Sequence, residues 1–410
     1  MNTNEINFLT KSMTKINTDE KKIQELLTRG VEEVIDKKNL EKKLKSGKIL
    51  RIKLGIDPTS PNLHLGRSIP LLKLRDFQEL GHQIIFIIGD FTGVIGDTSD
   101  KDSERPMLDE KTVKQNMKTY VQQVKKILDI KKCEIRYNSQ WLKKLNYHDI
   151  GLQADAFSLN EFMSRENIAK RLQSGKRVSL RELLYPLMQG YDSVAIKADV
   201  EVGGTDQRFN ILAGRELQRL YKQIPQDIIA NPLIAGLDGR KMSSSWGNTI
   251  NLLDSANEMY GKIMSLRDEL IIQYFRLTTR ADMTTIAKYE KELKAGKNPR
   301  DYKIKLAMEL VTFYHSSAQA KKAAQEFSNI FKKGGLPDNI ADYNLKNKNI
   351  NPADLLLEIK LATSKNEARR LVDGGGLKIN DQKITSWKEN IRLKSGDIIQ
   401  AGKRRFARIK

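Results

Sequence analysis

The sequence predicts an α/β protein whose main domain contains a parallel sheet. Strand-like and helix-like segments alternate after residue 47, which is the pattern of parallel strands joined by helical crossovers. One strand-like run, QIIFIIGD at 83–90, is almost continuously apolar, as expected of a strand buried on both faces. In such sheets ligands bind beyond the carboxyl ends of the strands. Polar residues at these ends are therefore the first candidates for a functional site.

The predicted elements follow one another in the order that such a sheet requires. Apolar residues at helical spacing predict a helix over 18–47. The segments after it are a strand at 50–57, a helix at 69–82, a strand at 83–90, a helix at 109–128 and a strand at 133–139. Farther along come a helix running into a strand at 179–196, a strand, glycine turn and helix at 198–220, and a short strand with a polar loop at 228–248.

The pattern changes after residue 250 and predicts further domains. From 251 to 335 the apolar periodicity is helical throughout. The segment 336–350 is polar and contains glycine and proline, so it is predicted to be a linker. The remaining residues, 351–410, are predicted to form two short helices, a glycine-rich turn and several strands. With the N-terminal helical segment 1–47 and the sheet domain 48–250, these make up the expected domain organisation.

The formal net charge of the 410-residue chain is +21, from 72 Lys and Arg against 51 Asp and Glu. A surplus of this size suggests a polyanionic partner, most simply a nucleic acid. A lysine-rich codon usage is the alternative explanation. The surplus is densest at 351–410, where 14 basic side chains stand against 7 acidic ones. That segment is the first candidate for contact with nucleic acid.

Several classes of protein and of site are disfavoured by composition. The single cysteine, Cys133, excludes an intrachain disulfide and argues against a cysteine-based metal site. No apolar run reaches the roughly 18 residues that predict a membrane span. The N-terminal residues contain acids and lack an apolar core, so a secretory signal is not expected. We expect a soluble, cytoplasmic protein.

A His, a Gly and an Arg lie close together in the turn between the first predicted strand of the sheet and the helix after it, where the sequence is HLGR at 64–67. A helix N-terminus offers free backbone N–H groups and a positive dipole, which suit phosphate. Gly66 allows a ligand to approach the backbone closely, and His64 and Arg67 add donors. A satisfied structural histidine is the alternative interpretation.

Two later segments carry groups of the kinds that bind nucleotides. The loop GRKMSSS at 239–245 places Lys241 before three serine hydroxyls, so it is either a solvated turn or a mobile phosphate clamp. The turn GGTDQ at 203–207 precedes a helix, and Asp206 either favours the first helical turn or accepts hydrogen bonds from a ribose. Asp97 is either a turn residue or a partner for an ammonium group.

The segment YPLMQGYD at 185–192 places three polar side chains on one helix face, because Tyr185, Gln189 and Asp192 stand at positions i, i+4 and i+7. This face is either a wet surface or the wall of a site for a small ligand that carries an amine or a hydroxyl. The sequence contains no GxxxxGK[ST], GxGxxG or HExxH pattern, so none of the sites that these motifs predict is expected.

Taken together and in order, these motifs resemble those of the class I aminoacyl-tRNA synthetases. HLGR at 64–67 is similar to the HIGH-type motif of that class, and KMSSS at 241–245 to its KMSKS-type loop. The segments KLGIDPT, GDFTGVIGD, YPLMQGYDS and DVEVGGTDQRFN resemble the bacterial tyrosyl-tRNA synthetases most closely. The resemblance implies a Rossmann-type catalytic domain at 48–250, a helical tRNA-binding domain at 251–335, a linker at 336–350 and an α+β RNA-binding module of the αL type at 351–410.

The activity that the resemblance implies has two steps. Tyrosine and ATP give tyrosyl-adenylate and pyrophosphate, and the tyrosyl group then passes to the 3′-terminal adenosine of tRNA(Tyr). Mg²⁺ accompanies ATP rather than occupying a protein site, and no tightly bound cofactor is implied. The implied catalytic residues are His64, Arg67, Lys241 and Ser244. The implied ATP-binding residues are Asp57, Thr59, His64, Gly66, Arg67, Gly204, Asp206, Gln207, Lys241, Ser243, Ser244 and Ser245. The implied tyrosine-binding residues are Lys53, Asp97, Tyr185, Gln189, Asp192 and Gln207.

Three positions depart from the family pattern. Arg67 stands where a His is more usual, Ser244 where KMSKS has its second Lys, and Lys53 where many tyrosyl enzymes have a Tyr beside the phenol. Two alternatives therefore stay open: a tryptophanyl-tRNA synthetase, which shares the fold and motif order, and a non-catalytic RNA-binding paralogue. The trio of Tyr, Gln and Asp on one helix face favours tyrosine. The resemblance also implies a homodimer.

Overall fold

The computed structural model describes residues 16–97, 107–332, 340–345, 347–402 and 405–410. They form two compact units. The first contains the chain up to Leu253 together with Leu266–Tyr302, and the second contains Asp254–Ser265 and the chain from Lys303 onward. None of the helices in these ranges is both long and apolar enough to cross a membrane.

The first unit is built on a six-stranded sheet in the order β1-β6-β5-β2-β3-β4. Its strands are β1 (Glu33–Ile35), β2 (Arg51–Ile56), β3 (Gln83–Ile88), β4 (Cys133–Tyr137), β5 (Val200–Gly204) and β6 (Asp227–Asn231). Neighbouring strands are parallel except β1, which pairs antiparallel with β6. Five of the six residues of β3 are buried, as its continuous apolar run predicts. The predicted α/β class with a parallel sheet is therefore confirmed.

The described helices are found in both units, and the helix Pro299–Tyr314 begins in the first and ends in the second. They are Glu20–Thr28, Lys37–Lys45, Leu65–Glu79, Thr92–Ile95, Glu110–Met117, Tyr120–Val124, Ser139–Leu142, Tyr147–Asp155, Leu159–Met163, Glu166–Gln173, Leu180–Ile196, Arg208–Leu220, Ala256–Met264, Ile271–Thr278, Met283–Lys294, Pro299–Tyr314, Ser317–Lys332, Pro352–Glu358 and Lys365–Asp373. Short 3₁₀ turns lie at Ile130–Lys132, Thr205–Gln207, Ser244–Trp246 and Asp268–Leu270. The helical periodicity predicted from 251 to 335 agrees with this series over the residues described.

The predicted helix over 18–47 is wrong as a single element. It is divided into two helices with strand β1 between them, because Gly30 takes a left-handed conformation with φ of +61° just after the first helix. Asp36 then starts the second helix, its carboxylate accepting from the backbone N–H of Asn39. Apolar spacing alone missed the break, since Val34 and Ile35 fit a helical pattern as well as an extended one.

Two further predicted elements differ in extent. The helix expected over 109–128 ends at Met117 and resumes at Tyr120. The segment 179–196 does not run into a strand: it is one helix, Leu180–Ile196, that begins with a capping box and ends where Lys197 takes φ of +51°. The left-handed end of this helix, rather than a change to extended backbone, directs the chain into β5.

Close helix packing sets the position of the helix Leu180–Ile196, which carries three of the predicted site residues. A Cβ atom added to Gly190 would lie 3.1 Å from the backbone nitrogen of Gly214 on the helix Arg208–Leu220. Only glycine lets the two backbones approach this closely without displacement. The pair therefore fixes the depth at which this helix sits beside the sheet.

The second unit contains a five-stranded sheet in the order β10-β9-β12-β13-β7 and a two-stranded pair of β11 with β8. The strands are β7 (Ala341–Tyr343), β8 (Asn349–Ile350), β9 (Leu377–Ile379), β10 (Gln382–Ile384), β11 (Ile391–Arg392), β12 (Ile398–Ala401) and β13 (Arg405–Ile409). Strand β7 pairs parallel with β13. Part of the segment predicted as a linker, 336–350, is thus built into this sheet, and residues 333–339 lie outside the described ranges.

Candidate active site

One cavity of about 500 Å³ lies at the carboxyl ends of β2, β5 and β6 in the first unit. Its wall contains almost every residue proposed for a site from the sequence. These are Asp57, Thr59, His64, Gly66, Arg67, Asp97, Tyr185, Gln189, Asp192, Gly204, Asp206, Gln207, Lys241, Ser243, Ser244 and Ser245. We call this space the main cavity. The main cavity lies where ligands bind in parallel sheets, beyond the carboxyl ends of the strands.

The HLGR turn and the KMSSS loop contact each other at the N-terminus of the helix Leu65–Glu79. The backbone N–H of Gly66 donates to the Sδ of Met242 at 3.3 Å. His64, the residue before the helix, is buried, and its Nδ1 has no hydrogen-bond partner among the described residues. Burial and the neighbouring charges of Arg67 and Lys241 lower the pKa of His64 to about 3. The imidazole is therefore neutral near pH 7.

Gly66 is required by the close approach of the His64 ring. A Cβ atom at position 66 would stand 3.0 Å from His64 Nδ1 and 3.1 Å from its Cε1. The glycine thus leaves room for the imidazole over the first turn of the helix. The N–H groups of that turn already have acceptors: Leu65 donates to the Ile250 carbonyl at 2.9 Å, and Arg67 and Ser68 donate to the His64 carbonyl. What this helix N-terminus offers an anionic ligand is therefore the positive end of the helix dipole and the side chains of His64 and Arg67.

The KMSSS loop is held by one asparagine and ties a lysine to the opposite wall. Asn248 accepts from the backbone N–H of Ser243 at 2.8 Å and donates to the carbonyl of Lys241 at 3.0 Å. The Nζ of Lys241 forms an ion pair with Asp206 at 2.7 Å. The two residues assigned from the sequence to phosphate and to ribose are therefore in direct contact.

Asp57 lies deeper than its sequence assignment to ATP suggests. Its Oδ1 accepts from the hydroxyl of Thr92 at 2.7 Å, and its Oδ2 accepts from the hydroxyl of Tyr185 at 2.8 Å. Burial raises the pKa of Asp57 to about 6, although both hydrogen bonds oppose the shift. Asp57 orients the Tyr185 hydroxyl, whose lone pairs then face outward as acceptors.

Asp192 is a buried carboxylate with a defined orientation. Its Oδ1 accepts from the indole N–H of Trp141 at 2.8 Å, and its Oδ2 accepts from the Asn138 amide at 3.4 Å. Burial raises the pKa of Asp192 to about 7. Sequence reasoning missed Asn138 and Trp141. The available signal was their place directly after β4, at the carboxyl end of another parallel strand.

Two glutamine side chains in the main cavity are bound to acids. Gln207 donates its Nε2 to Asp97 at 2.8 Å. Gln189 donates its Nε2 to Oε1 of Glu201 at 3.3 Å, and Glu201 is a third residue that sequence reasoning missed. An amide whose N–H₂ is bound to a carboxylate presents its oxygen on the other side. Gln189 therefore offers an acceptor to a ligand, whereas Oε1 of Gln207 already accepts from the Asn210 amide at 3.1 Å.

Lys53 does not line the main cavity, unlike the other residues assigned to tyrosine. It is fully buried, and its Nζ donates to the Ser193 hydroxyl at 2.7 Å and to the Gln189 carbonyl at 3.0 Å. It also forms an ion pair with Glu201 at 3.0 Å. These partners use the three donors of the ammonium group, so none of them is directed into the main cavity, contrary to the predicted contact of Lys53 with tyrosine.

Among the residues that the structure describes, no group of three or more His, Cys, Asp or Glu side chains is arranged to hold a metal ion.

Comparison with known proteins gives the same family from residue 44 to residue 409. Residues 44–332 match the family model for class I tRNA synthetases (W and Y), and residues 332–409 match the model for the tyrosine–tRNA ligase SYY-like C-terminal domain. A tyrosine–tRNA ligase of Mannheimia succiniciproducens is 46% identical, over 93% of this chain and 97% of that protein. The ligase of Thermotoga maritima is 45% identical, over 94% and 96%.

The fold is also that of solved tyrosyl-tRNA synthetases. The structure from Archaeoglobus fulgidus, which was solved with L-tyrosine, superposes with a TM-score of 0.60 at 23% identity and covers 74% of this chain and 98% of that one. The truncated mitochondrial enzyme of Aspergillus nidulans gives a TM-score of 0.64 at 22% identity, over 76% and 94%. With the two family models and the curated relatives, this places the chain in the class I aminoacyl-tRNA synthetases, as a member of the tyrosine–tRNA ligase family.

Proposed function

We propose that the chain activates L-tyrosine with ATP and transfers the tyrosyl group to tRNA(Tyr). The observation that carries this proposal is Asp192, a buried carboxylate on the wall of the main cavity whose two oxygens are oriented by Trp141 and Asn138. It lies on the same helix face as Tyr185 and Gln189. A phenol hydroxyl at one end and an ammonium at the other match this order of groups.

In the first step, a carboxylate oxygen of tyrosine forms a bond to the α-phosphorus of ATP. The bond from that phosphorus to the bridging oxygen breaks, and pyrophosphate leaves. The protein positions the groups and stabilises charge on the phosphates. We assign this work to neutral His64 and to Arg67 and Lys241, with the hydroxyls of Ser243–Ser245 beside them. Mg²⁺ is proposed to arrive with ATP.

In the second step, a hydroxyl of the 3′-terminal adenosine of tRNA attacks the activated carbonyl and AMP leaves. Asp206 is proposed to accept hydrogen bonds from the ribose of ATP, and the amide of Gln207 lies beside it. The tyrosine ammonium is assigned to Asp97, to the Tyr185 hydroxyl and to the Gln189 amide oxygen. Asp192 is assigned to the phenol hydroxyl.

Amino-acid-dependent exchange of pyrophosphate into ATP tests the proposed specificity. We expect exchange with tyrosine and none above background with the other amino acids. Exchange driven by tryptophan alone would identify the tryptophanyl alternative. Tight tRNA binding without exchange for any amino acid would identify the non-catalytic RNA-binding alternative.

We propose that the second unit anchors tRNA through residues 332–409. Its match to a ligase C-terminal domain and the 14 basic against 7 acidic side chains at 351–410 support this role. The helices Pro352–Glu358 and Lys365–Asp373 and the five-stranded sheet share a core of their own, which includes Leu356, Ile399 and Ile409. Binding through such a surface weakens with salt because counterions are released.

Removal of this segment is expected to separate the two steps. A chain that ends at Lys332 should keep pyrophosphate exchange within about twofold, and tRNA charging should fall about tenfold or more at low tRNA concentration because phosphate contacts are lost. The cut belongs at 332 rather than within 336–350, since β7 is part of the sheet that β13 completes. Charging at the full-length rate by the shortened chain would contradict the proposed role.

We propose that the chain forms a homodimer through its segment 147–184. Large apolar side chains are exposed there: Tyr147, Leu152, Leu159, Met163, Leu172, Leu180 and Leu184. Tyr147 is 94% exposed and Leu180 76%. Exposed apolar side chains in such number are typical of a surface that is covered by a partner.

Charge placed in this segment is expected to give a monomer. Leu159→Glu combined with Leu180→Glu should halve the mass measured by sedimentation velocity, because two carboxylates would be buried unpaired in the interface. Ile224→Glu is the matched control, since Ile224 is 81% exposed but lies outside the segment. Loss of the dimer in the control, or its survival in the double variant, would exclude this surface.

Finally, we propose that the enzyme is cytoplasmic, where translation takes place.

A further inference from the structure

A buried ion pair lies directly behind the proposed amino-acid site. Lys53 is 0% exposed and Glu201 is 2% exposed, and Nζ of Lys53 lies 3.0 Å from Oε1 of Glu201. Oε2 of Glu201 accepts from the Ser193 hydroxyl at 3.1 Å and from the Gln226 amide. Glu201 lines the main cavity, whereas Lys53 lies behind it. A buried pair of this kind seldom adds net stability over apolar residues of similar size, so its presence beside the cavity calls for another role.

Both members of the pair act on Gln189. Lys53 donates to the backbone carbonyl of Gln189 at 3.0 Å, and Glu201 accepts from the side-chain Nε2 of Gln189 at 3.3 Å. The first contact holds the helix backbone at this residue. The contact with Glu201 turns Nε2 of the Gln189 amide toward the acid, so the carbonyl oxygen Oε1 faces the other way and can accept from a ligand.

The orientation of this amide decides whether it attracts or repels an ammonium group. With Oε1 toward the ligand, the amide accepts a charge-assisted hydrogen bond from the ammonium. Turned by half a rotation, the same amide presents two N–H donors to a cation. An amide side chain has no strong preference of its own between the two, so the neighbouring groups must select one.

We propose that the Lys53–Glu201 ion pair is a positioning element for the substrate's amino group, which holds the Gln189 amide with its oxygen toward the ammonium. The inference rests on the proposed assignment of Gln189 to that ammonium. Glu201 supplies the acceptor that selects the orientation. Lys53 neutralises Glu201, so that a second free carboxylate does not compete for the ammonium or repel Asp192. In agreement, Lys53 lowers and Glu201 raises the pKa of Asp192.

The test removes the pair without leaving a buried charge. Lys53→Met combined with Glu201→Leu replaces both ions by apolar side chains, which commonly preserves the fold. We measure the dissociation constants of tyrosine and of 3-(4-hydroxyphenyl)propionate, which is tyrosine without its amino group. We expect the tyrosine constant to rise about tenfold or more, as for the loss of a hydrogen bond to a charged group. The constant of the analogue should change less than about twofold, with a melting temperature close to that of the unaltered protein.

A second pair of substitutions tests rescue. Lys53→Met with Glu201→Gln removes both charges but keeps a carbonyl oxygen where Gln189 Nε2 can donate. The new amide N–H₂ can donate to Oε1 of Gln226, which has no hydrogen-bond partner among the described residues, once the Gln226 amide turns by half a rotation from its present bond through Nε2. We expect this variant to recover most of the preference for tyrosine over the analogue. Rescue of this kind would not follow from a purely structural role.

Two reference variants separate failure of this inference from failure of the assignment beneath it. Gln189→Leu should lose the same preference for tyrosine over the analogue. If it keeps that preference, Gln189 does not bind the ammonium, and both the assignment of Gln189 and the positioning role of the ion pair are wrong. Lys43→Met breaks another ion pair, to buried Asp227, and should leave the preference intact. If the Lys53→Met/Glu201→Leu variant weakens both ligands equally, the pair is only structural and the inference is overturned.

Discussion

Asp192→Asn is expected to lower kcat/KM for tyrosine about 100-fold in pyrophosphate exchange and to leave the slow activation of phenylalanine nearly unchanged. The phenol hydroxyl loses a charged acceptor, and a hydrogen bond to a charged group contributes roughly 1.5–3 kcal/mol. The new amide N–H₂ also faces the N–H₂ of Asn138, which cannot turn because its Oδ1 accepts from the backbone of Phe91 at 3.0 Å. Two N–H₂ donors would then face each other in a buried position, with no acceptor between them.

The ratio of tyrosine to phenylalanine activation is the decisive measurement, because phenylalanine has no hydroxyl to lose. A fall that is equal for both amino acids would show that Asp192 supports the fold of the site rather than the recognition of the phenol. Trp141→Phe is a useful companion variant. It removes the donor to Oδ1 and should lower the ratio less, because the charge remains.

The same substitution is expected to change how stability depends on pH. The pKa of Asp192 is raised from 3.8 to about 7 in the folded chain. Between these values the folded chain binds a proton that the unfolded chain has lost, so the free energy of unfolding falls as pH rises from about 4 to 7. Asp192→Asn should flatten this slope in thermal melts. The slope that remains below pH 6 in this variant is expected from Asp57, whose pKa is also raised in the folded chain.

Lys241→Ala is expected to lower kcat for pyrophosphate exchange by about 10²–10³ with little change in the KM for tyrosine. Removal of one preorganised group that stabilises transition-state charge commonly has an effect of this size. Lys241 is paired with Asp206 at 2.7 Å, which places its ammonium beside the proposed ribose site and close to the phosphates. ATP binding would exchange this partner for phosphate oxygens.

Arg240→Ala is the matched control for Lys241→Ala. It removes the neighbouring positive charge, so the two variants have the same net charge. The Arg240 guanidinium is bound to Asp238 and lies 4.7 Å from the centroid of the Trp246 ring, so it is committed to holding the loop. We expect Arg240→Ala to lower kcat for pyrophosphate exchange by less than about tenfold. Equal effects of the two substitutions would indicate that the loop responds to total charge, and Lys241 would lose its assigned role.

Much of the active-site architecture follows from local sequence, because short motifs at strand ends are local features. The HLGR turn, the KMSSS loop and the Tyr185 face were all brought to one cavity by a sheet whose strands are fixed by apolar runs. Trp141 and Asn138 could not be paired with Asp192 in this way, since the contact joins the ends of separate elements about fifty residues apart.

Lys53 shows a different limit. Its alternation with apolar residues in β2 places it on one face of the strand, but the pattern does not say what lies behind that face. The partner is Glu201 on the neighbouring strand β5, and strand order is a property of the whole sheet. The sequence therefore predicted a contact of Lys53 with the ligand, whereas the structure places this side chain behind the main cavity, bound to Glu201, Ser193 and Gln189.

The pairing of β7 with β13 has a consequence for the order in which the protein is made. The first unit has all its strands once residue 231 has been synthesised and all its segments by Tyr302. The sheet of the second unit starts at Ala341 but gains its last strand, β13, which lies between β12 and β7, only when Arg405–Ile409 exist. Contacts this far apart in sequence form late. A growing chain thus has the parts for amino-acid activation well before it can close the unit proposed to hold tRNA, and until then β7 is an unpaired edge.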